Sequence, residues 1–332
     1  MQKQKRSGLK ILLSLIIFGG ICAAIIYFVD FTAVADTFLG MNFEPSAEMA
    51  ELINRDSLTK TGERILNASK PELLEAEEFN STCYTGTENE SSVLGCYTNN
   101  AVYVYNIQNK ELDGIKETVL AHELLHAVWH RMSYNDRRAL YHDIDMVYSA
   151  NQEELGEHMA GYADEDHYDE LHSVIGTQIA SEDLTDALRE HYAKYFENQS
   201  KIVSYYNAYN GKFKALEKRV AELEAQIETN RARIESLTAK YESDAEDLLK
   251  NINSFNARAE SGSFSDSASF YAERNELVAR QNQLQADYET LNTLINETNT
   301  MIQEYNNNVL EAGKLYDSVN SRVQTPSTQI QD

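Results

Sequence analysis

The stretch His122-Glu123-Leu124-Leu125-His126 has the residue types and spacing of a metal-dependent hydrolytic centre. On an α-helix, residues four apart differ by about 40° around the axis and about 6 Å along it. His122 and His126 therefore project side by side, and their imidazole nitrogens can reach one ion. Glu123 is turned one position away, so its carboxylate lies beside such an ion rather than on it. There it can take a proton from bound water. The flanks sharpen the signal. Val119-Leu120-Ala121 precede, Ala127-Val128 follow, and Glu123 is the only formally charged residue between Val119 and Trp129. A buried helix carrying a carboxylate and two imidazoles is costly unless those groups are used.

A tetrahedral zinc centre that keeps one position for water needs a third protein ligand. Glu157, His158, Glu165, Glu170 and His172 are the downstream candidates. Glu170 is favoured because it opens Leu171-His172-Ser173-Val174-Ile175-Gly176, a helical stretch whose apolar members pack inward. His130 continues the face of His122 and His126. It lies about 12 Å along the axis from His122, too far for all three to share an ion, which leaves it a supporting or a surface role.

The run Val119 to Val128 resembles the zincin signature. It lacks the extended metzincin pattern, because Trp129 stands at the glycine position and Met132 at that of the third histidine. A glutamate a few tens of residues downstream is similar to the gluzincin arrangement. The resemblance covers about residues 100 to 180. It implies His122, His126 and Glu170 as ligands of a Zn2+ ion, Glu123 as general base, and peptide or protein as substrate. It also implies that the strand Ala101 to Ile107 offers an edge above the cleft to an extended peptide. The thermolysin-like subgroup has an aspartate four residues after its third ligand. Val174 holds that place after Glu170, whereas Asp169 holds it after Glu165, which keeps Glu165 open. For the oxyanion, Tyr168, Tyr162 and His172 are candidate donors, and Tyr168 leads as the nearest to Glu170 in sequence.

These residues need elements to hold them. Asp113-Gly114 opens a helix through Ile115, Leu120 and Leu124 to about Met132. Ala101 to Ile107 is rich in β-branched and aromatic residues and reads as a strand. Pro45-Ser46 with Glu48 marks an earlier helix start. Asn80 to Asn100 reads as a loop carrying Cys83 and Cys96, which a disulfide would staple. From Phe213 a different pattern begins. Leu216, Val220, Leu223, Ile227, Ile234, Leu237, Tyr241 and Leu248 repeat every 3.5 residues, interrupted by Asn230 and Asp244. A second series runs Leu277, Leu284, Tyr288, Leu291, Ile295, Ile302, Tyr305, Val309, Ala312, Tyr316 and Val319, interrupted by Gln281 and Thr298. Such heptads predict a coiled coil. The turn at Glu260 to Ser267 folds it into an antiparallel hairpin about 60 Å long.

Composition bounds the rest. The 332 residues carry 53 Asp and Glu against 29 Lys and Arg. A surface of that sign repels phosphate backbones, so no nucleic-acid partner is expected. Lys3, Lys5, Arg6 and Lys10 precede the apolar run Ile11 to Val29, about 29 Å long as a helix. Charge asymmetry then puts the amino end in the cytoplasm and the remainder outside a cell membrane. A cleaved signal peptide ending near Ala33-Val34-Ala35 is the competing reading.

The expected fold class is α+β, mostly α: an N-terminal transmembrane helix, a zincin-like domain with a small sheet, and a long antiparallel coiled-coil hairpin. The expected division is a basic end and anchor at 1–30, a zincin-like metallopeptidase domain at 31–200, the hairpin at 201–320 and a disordered tail at 321–332. The function expected from this is a membrane-anchored, extracytoplasmic zinc-dependent endopeptidase, with the hairpin available to a protein partner or to self-association. The alternative is a cell-envelope scaffold or adhesion protein with an inactive zincin-like domain.

Overall fold

A computed structural model describes residues 31–83, 93–159 and 167–322, apart from the side chains of residues 157 and 158. The chain forms two compact units, Met1–Tyr209 with Asp317–Asp332, and Asn210–Tyr316. The globular unit thus runs nine residues past the expected boundary and takes back the last turn of the hairpin.

The globular unit opens with three short helices, α1 (Phe31–Gly40), α2 (Ala47–Asp56) and α3 (Lys60–Ala68). Ser46 caps α2, its hydroxyl accepting from the Met49 amide, and Thr59 caps α3 through the Gly62 amide. Strand β1 (Glu72–Leu74), helix α4 (Ala76–Cys83), β2 (Gly95–Thr98) and β3 (Ala101–Tyr105) follow. The sheet order is β1-β3-β2, with β1 parallel and β2 antiparallel to β3. The expected strand is therefore the central one. With both edges occupied, β3 cannot receive a peptide, and the edge on its Gly95 side belongs to β2. Cys83 and Cys96 lie on α4 and β2 rather than in a loop, and they form the disulfide, with Cα atoms 5.8 Å apart.

Helix α5 (Ile115–Arg131) carries the His-Glu motif, with Gly114 at its start in a left-handed conformation (φ 95°) that favours glycine. Helices α6 (Tyr134–Ala150), α7 (Gln152–Met159), α8 (His167–Gln178) and α9 (Asp186–Tyr192) complete the layer. Helix α5 packs against β2 and β3 on one side and α8 on the other. It is therefore apolar nearly all round: Leu120, Ala121, Leu124, Leu125, Ala127 and Val128 are all buried. Gly176 lets α8 approach closely, because a Cβ there would overlap Leu125 and Tyr192.

The second unit is built on α10 (Gln199–Glu260) and α11 (Ser267–Val319), joined by a turn containing Gly262 at φ 65°. Arg219 with Glu304, Tyr241 with Tyr288 and Phe213 with Tyr316 fix the antiparallel pairing. The 53 residues of α11 extend about 80 Å, further than the heptads alone indicated. The seam of α10 follows the expected positions, with Leu223, Ile227 and Leu248 buried. On α11 half of the expected seam is displaced by one residue. Leu294 and Leu315 are buried beside the expected Ile295 and Tyr316, and Tyr288, Val309 and Tyr316 are 47%, 43% and 46% exposed, whereas Thr298, expected in the seam as a polar interruption, is buried in place. At 294 and 295, and at 315 and 316, apolar residues occupy both adjacent positions, and only packing chooses between them.

The expected fold class needs one correction. Among the described residues, no helix is long and apolar enough to cross a membrane. The helices with sufficient length, α10 and α11, carry charged residues throughout. What is observed is a mostly helical chain with a three-stranded sheet and a long helical hairpin. The segment 11–29, for which a spanning helix was expected, lies outside the described residues, as does the expected tail from residue 323.

Candidate metal centre

Among the described residues, one group of His, Cys, Asp and Glu side chains is arranged to hold an ion: His122, His126 and Glu170, with one donor atom from each within 4.8 Å of the others. His122 and His126 come from successive turns of α5, and Glu170 from the first turn of α8. Their rings meet edge to face, with centroids 4.8 Å apart. The Nε2 atoms of the two histidines are 3.0 Å apart. His122 Nε2 lies 3.5 Å from Glu170 Oε1, and His126 Nε2 lies 3.4 Å from Glu170 Oε2. Ligands about 2.05 Å from a tetrahedral zinc are about 3.4 Å from one another, close to the separation of each imidazole from its nearer Glu170 oxygen, Oε1 for His122 and Oε2 for His126.

The hydrogen bonding behind the ligands agrees with that geometry. His126 Nδ1 lies 2.8 Å from Asp169 Oδ1. A carboxylate only accepts, so Nδ1 carries the hydrogen and donates it, and in the neutral ring Nε2 is then the lone pair that faces Glu170 and His122. Electron-rich atoms this close repel one another unless a positive charge sits between them. His126 shows the same preference. Burial alone would lower its pKa, but the hydrogen bonds to Asp169 and Glu170 outweigh that and raise it well above the usual histidine value. Burial likewise opposes ionisation of Asp169, yet His126 and His130 hold it down to about 2. The residues fit a divalent cation of zinc's size and coordination.

Glu123 lies next to this group without joining it. It is 4% exposed, and burial pushes its carboxyl above the usual range, opposed by His126 and His122. It rests against β2, where a Cβ on Gly95 would come within 2.6 Å of Glu123 Oε1 and of Val119 Cγ1. A buried carboxyl whose pKa is raised beside a cluster of imidazoles is a candidate for proton exchange.

The remaining candidates are placed as follows. His172 is fully buried, with Nε2 2.8 Å from Nε2 of His191 and its ring over Trp129, in the core behind the ligands. Tyr168 stacks on Tyr141 and donates its hydroxyl to Asp145 of α6 at 3.1 Å, a bond it must leave to serve an oxyanion. Glu165 and Tyr162, and the side chains of Glu157 and His158, lie outside the described residues. Sequence reasoning valued Asp169 only as a partner for Glu165. The available signal was its place beside Glu170 on the same helical turn, facing the second histidine. Nothing in the sequence marked Gly95.

Compared with known protein families, curated proteins and solved structures, the chain gives no match.

Proposed function

We propose that the globular unit is a zinc-dependent peptide hydrolase of gluzincin-like design. The observation that carries this reading is the convergence of His122 Nε2, His126 Nε2 and the Glu170 carboxylate beside the buried Glu123. A structural zinc site has no use for such a base. Bound here, zinc would supply Lewis acidity toward a carbonyl and acidify a water. His122, His126 and Glu170 hold the ion, and Asp169 fixes the His126 ring and its tautomer. Glu123 takes the proton of the attacking water at its carboxylate and returns it to the departing amine. The Cys83–Cys96 disulfide supports an oxidising, extracytoplasmic compartment.

Metal analysis of the purified protein, together with hydrolysis of a fluorogenic peptide library, tests the proposal. One zinc per chain is expected. Glu123→Gln should keep that zinc and lose hydrolysis, and Glu170→Gln should lose both. Protein that takes up no zinc refutes the reading, as does Glu123→Gln at the wild-type rate.

A further inference from the structure

The third histidine of α5 is joined to the metal centre through a carboxylate. His130 Nε2 lies 3.1 Å from Asp169 Oδ2, while Asp169 Oδ1 takes the Nδ1 hydrogen of His126 at 2.8 Å. Asp169 is thus shared, one oxygen to each histidine. The sharing follows from helix geometry. His126 and His130 are four residues apart on α5 and offer their rings side by side. Asp169 in the first turn of α8 meets both, while its neighbour Glu170 meets His126 and His122. Two adjacent acids on α8 therefore engage three evenly spaced histidines on α5.

The two ends of this chain differ. The His126 side chain is 17% exposed and that of Asp169 14%, whereas that of His130 is 55% exposed. An exposed imidazole is ordinarily free to turn. This one is braced by Tyr97 of β2, whose ring centroid lies 5.3 Å from its own. Tyr97 is braced in turn, because its hydroxyl accepts from Arg131 Nη1 at 3.2 Å, and Arg131 Nε donates to the buried Asp36 at 2.9 Å. His130 is held from one side and holds Asp169 on the other.

We infer that His130 is a positioning residue of the metal centre. By donating to Asp169 Oδ2 it fixes the plane of that carboxylate, so that Oδ1 stays on His126 Nδ1 and His126 Nε2 stays aimed at the ion. Without that donor, Asp169 can rotate about its terminal torsion, and His126 loses both its orientation and its tautomer preference. Partners behind a ligating histidine are worth about 10- to 100-fold in metal affinity. His130 acts one bond further out, so the effect belongs at the lower end of that range. This inference rests on the zinc reading proposed above.

The test is zinc affinity of the full chain, measured by competition with a chromophoric chelator, for wild type, His130→Phe and His130→Gln. Phenylalanine keeps a ring against Tyr97 but has no donor, whereas glutamine places an amide N–H near the position of Nε2. His130→Phe should bind zinc about tenfold more weakly, and His130→Gln within about threefold of wild type. Metal-free thermal midpoints should be alike for all three, which a residue serving only packing would not give. His130→Phe at wild-type affinity overturns the inference, as does His130→Gln as weak as His130→Phe. Wild type that binds no zinc refutes the metal reading itself. Tight wild-type binding that His130→Phe leaves unchanged refutes the inference alone.

Discussion

Gly95→Ala tests how Glu123, the proposed general base, is held. A Cβ at this position would lie 2.6 Å from Glu123 Oε1, 2.6 Å from Val119 Cγ1 and 2.8 Å from Glu123 Cγ. Ordinary contact distances between such atoms are about 3.5 to 4.0 Å, so the carboxylate has to withdraw by about 1 Å. Val119 is fixed on the same buried helix and cannot absorb the difference alone. A misplacement of about 1 Å at a reacting group costs on the order of 100-fold in rate, equivalent to about 2.7 kcal/mol in the barrier. Overpacking adds a stability cost of roughly 1 to 3 kcal/mol. Glu123 is not a ligand, so zinc binding should survive. The assay follows hydrolysis of a fluorogenic peptide, zinc content and thermal midpoint on the same sample. The expected result is full zinc, a modestly lower midpoint and turnover reduced about 100-fold. Wild-type turnover would show that β2 does not hold Glu123. Zinc lost together with activity would show that the whole pocket has moved, and either result refutes the reasoning.

Two further outcomes are expected. Asp56 is fully buried with neither carboxylate oxygen hydrogen-bonded, and burial, then Glu117, raise its pKa well above the usual value, against the pull of Lys201 and Arg55. Its folded pKa exceeds its unfolded one, so it favours folding fully only below the unfolded value, and stability falls as pH rises toward the folded pKa. Asp56→Asn should therefore raise the unfolding free energy more at pH 8 than at pH 4, by about 1 to 3 kcal/mol in urea denaturation; an equal effect at both refutes the assignment. The double change Cys83→Ser, Cys96→Ser opens a link across 13 residues and should cost about 3 kcal/mol in urea denaturation. An unchanged midpoint would mean that the link constrains nothing.

The local parts of the site were legible because they depend on local geometry. The spacing of His122 and His126 puts two rings on one face of any α-helix, and the apolar flanks say that the helix is buried. The start of α2 at Ser46 and of α5 at Gly114, the strand Ala101–Tyr105 and the heptads of α10 follow from the same short-range rules. The disulfide followed from an even pair of cysteines after an apolar leader. A choice among residues that short-range rules treat alike was not legible. On α11 two adjacent apolar positions fit the heptads equally, and burial selected Leu294 and Leu315 over Ile295 and Tyr316.

Sheet order was also hidden, because β1 reaches β3 across the chain and encloses the strand that had been expected at the edge. The sequence by itself determined that two histidines share a helical face suited to an ion, with Glu123 one position to the side. Only tertiary structure decided that Asp169 orients His126, that His130 shares that carboxylate, and that Gly95 abuts Glu123. Each of these joins residues tens of positions apart, and the packing of α5 between β2 and α8 creates all of them at once.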